Sequence, residues 1–307
     1  MTKQFKILEH DVVFLSYDEP NAEKNYADLL TKCPWAKRVH GVEGSDSAHK
    51  ACAELAQTER VIIIDADNIV DLKFFEQIIE VESEELYNKS VISWCGLNVI
   101  NGLKYGNGGI KCWPREFILN MKTHENADSP QSQVDFCWDI NYITLDECMS
   151  LVYNNATPWQ AWRAGFREGV KMSLYDGIKP SFDKLFSKRI HKKNYHRLLT
   201  WLNVGADVDN GRWAILGARQ GCYMTNCTDW DYVNVRDFSW LNEFWRTDVS
   251  LINETMLDEE ISKFGEKLAQ DLHIPIDEPL TAMQSKFFKE VFTNPSRVPN
   301  GARIIKK

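Results

Sequence analysis

The chain has 307 residues, 44% hydrophobic and 26% charged, the balance of a soluble globular protein with one large domain or one domain plus a substantial appendage. Its formal net charge of −8 excludes a protein coated in positive charge for general nucleic-acid binding, while leaving room for a local basic face. Apolar runs such as Val61–Ile64 are far too short to span a bilayer, and the opening MTKQFKILEHD has no apolar signal core, so a cytoplasmic protein with no membrane partner is expected.

Asp11–Ser16 (DVVFLS) is a short apolar run ending in the turn-rich YDEPN, which predicts a buried strand leading into a loop. Ala22–Leu30 follows as a helix with Asn21 at its N-cap, Lys37–Val42 as a second strand, and Ser45–Gln57 as an Ala-rich helix capped by Ser45 or Asp46. Arg60–Ile64 is a third strand, β-branched in its apolar part, and it stops abruptly at Asp65. Asp71–Val81 reads as helix and Ser90–Cys95 as strand. Such alternation indicates βαβ units and a mostly parallel sheet, whose chemistry sits at the carboxyl ends of the strands. YDEPN and DAD both fall at such ends.

Asn98–Pro114 is a Gly-containing, turn-rich segment whose backbone can approach a ligand closely. Pro158–Leu174 predicts a helix starting at Pro, with Trp162, Phe166 and Val170 spaced four apart. After Tyr195 we expect a helix, then loops and a short strand. Trp240–Phe288 reads as amphipathic helix interrupted by Pro275 and Pro279, and the polar tail from about residue 294 as partly disordered. The division expected is an α/β domain over residues 1–235 and a mainly helical extension over 236–307 packed on it. The eight Cys include no CxxC pair, so reduced, structural thiols are expected.

The strongest chemical signal is IIIDAD. Asp65 and Asp67, at i and i+2 after a buried strand, point the same way and can face one hard cation. Mg²⁺ or Mn²⁺ prefers such oxygens and bridges to substrate phosphates, where it neutralises a departing diphosphate. Around them, Ser16, Tyr17, Asp18 and Glu19 of the first loop, His49 and Lys50 of the GVEGSDSAHK turn-helix, and Ala66 form the expected nucleotide pocket. For Glu19, capping the next helix is an equal alternative.

YGNGG (Tyr105, Gly108, Gly109) with Lys111 forms either a slot for sugar and acceptor or a hairpin turn. Arg163 and Arg167, one turn apart, form either a phosphate clamp or an ion-pair network. Asp139, with Asp135 as substitute, is the expected base on the acceptor hydroxyl. Lys184–Arg197 holds six Lys/Arg and no carboxylate. There, Lys188, Arg189, Lys192 and Lys193 suit DNA phosphates, with a solvated helix face as the alternative.

The blocks FLSYDEPNAEKNYADLL, AKRVHGVEGSDSAHKACAE, VIIIDADNIV, NGLKYGNGGIKCWPRE and NATPWQAWRAGFREGVKMSL, then the run Gly205–Arg219, resemble in order the TET-associated glycosyltransferases of bacteriophages. The resemblance spans roughly Val12 to Gly221. It implies a GT-A-like, Rossmann-like α/β fold: a mixed, mostly parallel sheet flanked by helices. It also implies metal-dependent transfer of a sugar from a nucleotide donor, UDP-type, onto 5-hydroxymethylcytosine in double- or single-stranded DNA. A glycan, lipid or protein acceptor is the alternative, and no obligate protein partner is expected.

The family's DxD falls on Asp65 and Asp67. Its YGxGG falls on Tyr105, Gly106, Gly108 and Gly109 with Lys111 following, and its WRxxFRE on Trp162, Arg163, Phe166, Arg167 and Glu168. GT-A enzymes often take a third metal ligand from downstream, here His191 or His196. A base acted on inside a buried site has to be flipped out of the duplex.

Overall fold

The computed structural model describes residues 1–105, 108–123, 126–129, 132, 141–175, 177–180, 192–274, 276, 278–298 and 300–306. Asp135, Asp139, Lys188, Arg189 and His191 lie outside them, as do Gly106 and the side chains of Lys192 and Lys193.

β1 (Lys3–Lys6) precedes β2 (Asp11–Ser16), α1 (Ala22–Lys32), β3 (Lys37–His40), α2 (Ser45–Leu55) and β4 (Arg60–Asp65), close to the sequence reading. The caps differ. Asn21 occupies the N-cap of α1 without capping it; its amide donates to the Tyr153 carbonyl at 2.8 Å. Gly44 is the N-cap of α2, and the Asp46 carboxylate is taken by the Thr123 backbone N–H and the Asn126 amide.

β5 (Asn68–Val70) leads to a single 3₁₀ turn, Leu72–Glu76, and to β6 (Ile78–Val81). The helix expected over Asp71–Val81 is therefore absent. Phe74 and Phe75 turn into the core, and Ile78–Val81 alternates buried and half-buried along an antiparallel ladder with β1. Tertiary pairing overrides helix propensity here.

α3 (Glu84–Lys89), β7 (Ser90–Asn98), β8 (Lys104–Tyr105), β9 (Ile110–Pro114), α4 (Arg115–Asn120) and β10 (Asn141–Val152) complete the sheet region. The main sheet has the order β3-β2-β4-β9-β7-β10-β5, with β8 paired to β7. β2, β3, β4, β7 and β10 share one direction and β5, β8 and β9 oppose it. This is a mixed α/β sheet, as expected, with five strands running one way and three the other. Its faces are covered by two apolar clusters, one holding Phe14, Ile62 and Trp94, the other Val13, Ile63 and Trp113.

α5 (Pro158–Ser173), α6 (Lys192–Asn203), α7 (Gly211–Cys227), α8 (Phe238–Phe244), α9 (Glu254–Leu272) and α10 (Ala282–Val291) follow. α5 to α9 share a third core around Trp162, Trp201, Ile215 and Leu268, and Val235 and Leu241, on either side of the expected boundary at 235, both belong to it. The loop expected after α6 is present over residues 204–210, but the short strand expected beyond it is instead the helix α7. Being buried along most of its length, it has no polar stripe, and an apolar run without helical periodicity resembles a strand.

α5 and α7 cross at Gly165, Gly169, Gly217 and Gly221, where an added Cβ would lie 1.9–2.2 Å from a carbonyl oxygen of the other helix. The buried Arg219 donates to Leu202 O at 2.9 Å and Ile261 O at 2.8 Å, tying α7 to α6 and α9. Among the described residues no helix is long and apolar enough to cross a membrane.

The described part of the tail ends in a strand, contrary to the expected partial disorder. β11 (Ala302–Lys306) pairs antiparallel with β6, making a second sheet of order β1-β6-β11. The polar character that suggested disorder is that of an edge strand with one buried position, Ala302.

Candidate donor and metal site

β4 is buried from Arg60 to Ile64 and surfaces at Asp65, whose side chain is 44% exposed. The Asp65 N–H donates to Gly109 O at 2.9 Å, fixing the strand end against the start of β9. Lys111, on β9, places Nζ 3.6 Å from Asp65 Oδ2. Asp67 sits two residues beyond the strand end, directly before β5. Its carboxylate accepts from Asn68 Nδ2 at 2.7 Å, and Asn68 Oδ1 accepts from Ser150 Oγ at 2.6 Å. Between them Ala66, buried, gives its carbonyl to Asn25 Nδ2 at 2.8 Å, and Asp67 O accepts from Tyr153 N at 2.7 Å. The DAD backbone is thus pinned by α1, β9 and the end of β10.

Burial, with Asp65 and Glu19 adding to it, pushes the Asp67 carboxyl up to about 7. Carboxylates this close repel one another, and a cation between them relieves that repulsion. An all-oxygen pair of this kind fits a hard divalent ion. Among the described residues no third His, Cys, Asp or Glu joins it. His196 is exposed on α6 and is not that third ligand. Phosphate oxygens and water would complete the coordination.

The first loop faces the pair. Glu19 accepts from the Tyr17 N–H at 2.7 Å, so it braces its own loop rather than capping α1. Ser16, expected to contact nucleotide, is buried and accepts from Arg38 Nε at 2.9 Å; its work is to join β2 and β3. Tyr17 and Asp18 are exposed. His49 donates from Nδ1 to Ser45 O at 2.8 Å and meets Trp113 edge-on. Burial lowers its pKa, with Asp65 opposing and Lys111 reinforcing the effect, so the imidazole lies within the field of the site. Lys50 lies beside Asp46.

Gly108 and Gly109 do not open a slot. A Cβ on Gly108 would sit 2.1 Å from Gly96 N, and one on Gly109 2.2 Å from Asn68 Nδ2, with φ +99°. Their lack of side chains lets β7 and Asn68 close in and buttress Asp67. Tyr105 is held too: its hydroxyl accepts from Trp201 Nε1, and the Arg197 guanidinium lies 4.9 Å from its ring centroid.

Arg163 and Arg167 project from α5 onto Phe238, 5.0 and 5.3 Å from its centroid, and Arg163 also covers Trp159 at 5.3 Å. Burial and Arg167 pull the Arg163 guanidinium below its ordinary value, while Asp18, Glu19 and Asp67 act against that. Arg163 thus lies within the field of the acidic edge, where a guanidinium and a metal-holding carboxylate pair could bracket a diphosphate. Trp162, expected with Arg163 and Arg167 at the sugar and acceptor site, is instead core: it is fully buried, donates from Nε1 to Gln220 Oε1 at 2.6 Å, and packs on Phe166, Phe244 and Trp245, so it cannot touch a sugar.

Asn25, Asn68 and Ser150 escaped sequence reasoning. Asn68 follows DAD directly and was open to notice, but its partner Ser150 is 82 residues away, and no local pattern reports that.

No family model and no curated protein matches the chain. Nine chains of solved structures do. One is a mannosyltransferase from Pyrobaculum calidifontis, solved in complex with GDP-Man and Mn2+. It is 11% identical over 87% of this chain and 88% of that one, at a TM-score of 0.32.

Proposed function

We propose that this chain is a metal-dependent glycosyltransferase that moves a sugar from a nucleotide-diphosphate donor, UDP-type, onto the hydroxymethyl group of 5-hydroxymethylcytosine in DNA. The observation that carries the reading is the Asp65/Asp67 pair at the carboxyl end of β4, opposed by Lys111 and by Arg163 on α5. The acceptor rests on the ordered sequence blocks that resemble the phage DNA glycosyltransferases and on the basic segment 184–197.

In this reading Asp65 and Asp67 hold Mn²⁺ or Mg²⁺, which when bound neutralises charge on the leaving diphosphate. Lys111, Arg163 and Arg167 share that task as fixed cations. Asp18 and Glu19 take hydrogen bonds from the nucleoside, and Asp139 or Asp135 removes the acceptor proton.

Asp65→Ala and Asp67→Ala are the direct test, each followed by Mn²⁺-dependent donor binding and by circular dichroism. Both variants keep the wild-type spectrum and lose metal-dependent donor binding and transfer. Full activity of either with added Mn²⁺, or wild-type activity in excess chelator, removes the metal role.

A further inference from the structure

Beside β10, far along the chain from the acidic pair, lies an open cavity of about 580 Å³ whose lining includes Arg197, Arg297, Asn194, Asn300, Ser296 and Thr144. No carboxylate is among its described lining residues. Arg197 comes from α6 and Arg297 from the segment between α10 and β11.

Two cations held close repel each other unless an anion sits between them. An acid of β10 beside this segment is already engaged: Asp146 is paired with Lys104 Nζ at 2.7 Å and accepts the Arg297 backbone N–H at 2.8 Å. That backbone bond anchors residue 297 and leaves its guanidinium to the cavity, where it makes no hydrogen bond or ion pair with another described residue. Burial, then the neighbouring Arg197, lower the Arg297 pKa. The Arg197 guanidinium itself lies over the Tyr105 ring. Planar guanidinium forks with hydroxyl and amide donors around them match phosphate oxygens.

The cavity also shares a sheet face with the donor site. Thr144 is registered with Ser93 and hydrogen-bonded to it at 3.2 Å, Ser93 is registered with Lys111, and Lys111 reaches Asp65. Two strand spacings separate Thr144 from Lys111, about 10 Å.

We propose that Arg197 and Arg297 form a phosphate-binding site that grips a backbone phosphodiester of the nucleic-acid acceptor and sets its position relative to Asp65. The choice of phosphodiester rests on the DNA-acceptor reading; the phosphate chemistry does not. Arg197 closes the basic segment 184–197, but neither arginine is among Lys188, Arg189, Lys192 and Lys193, on which sequence alone placed the phosphate contacts.

The test uses the full chain and a fluorescent single-stranded oligonucleotide, with affinity measured against salt. For Arg297→Gln and for Arg197→Gln the slope of log affinity on log salt shrinks by about 0.7 per lost phosphate contact, and Arg297→Lys restores it. In parallel, wild type broadens the phosphorus NMR signal of inorganic phosphate and Arg297→Gln does not. Wild type that broadens phosphate yet ignores the oligonucleotide keeps the site and overturns the DNA reading. An Arg297→Gln protein with wild-type slope and broadening, or wild type that does neither, overturns the site.

Discussion

At the residue scale, Asp65 and Asp67 were legible because their message is local: two acids, one residue apart, ending an apolar run. Their support was not. Asn25, Asn68 and Ser150 hold the pair through contacts between distant segments, and a hydrogen bond over such separations leaves no pattern in the chain. The aromatic signal misled for a related reason: Trp162 was expected beside the sugar, while its spacing four from Phe166 and eight from Val170 marks the helix face that is buried as packing. His10 shows the same gap. It looks like an ordinary polar residue, yet it is buried against Phe5 with no described partner on either ring nitrogen.

Burial, helped by Arg60, lowers the His10 pKa from 6.5 to about 4. The folded state therefore refuses a proton that the unfolded state accepts, and this stability contribution is full above pH 6.5, falls as pH drops, and levels off below about 4. Relative to His10→Phe, wild type is expected to lose on the order of 3 kcal/mol across that window in urea melts. Parallel pH profiles for the two proteins would contradict the assignment.

At the element scale, the elements from β2 to β4 were readable because short apolar runs bounded by turn residues mark buried strands and the capped segments between them mark helices, whereas β1, short and polar, was missed. α7 was not readable, since burial removes the stripe that marks a helix. What its sequence does contain is the spacing of Gly217 and Gly221, which meets that of Gly165 and Gly169 on α5. Gly165→Ala places a methyl 1.9 Å from Ala214 O, a backbone atom that cannot swing away. It is expected to destabilise the fold by about 3 kcal/mol, whereas Gly41→Ala, with open space around it and φ +71°, costs about 1 kcal/mol of backbone strain. Denaturant midpoints for the pair decide this. Equal effects would mean that the helix crossing relaxes.

At the scale of the whole molecule, the termini meet on one small sheet: β11 and β1 flank β6. The carbonyl of Gly301 accepts from Glu82 N at 2.8 Å. Deleting residues 302–307 uncovers an edge of β6, so a lower melting temperature and concentration-dependent aggregation are expected. Unchanged melting and light scattering would show that β11 contributes nothing. The same chain-wide assembly places Arg297 beside Arg197, a pairing of segments 100 residues apart that only the fold makes visible.

The central claim is that the acidic pair at β4 serves sugar transfer to a hydroxymethylated base. Intact mass spectrometry of a 5-hydroxymethylcytosine oligonucleotide, incubated with the protein, Mn²⁺ and a panel of nucleotide sugars, tests it most directly. The account predicts a gain of one sugar mass with one donor, absent from the cytosine control, from the chelated reaction and from Asp65→Ala. No mass gain with any donor, or equal gain in chelator, would contradict it.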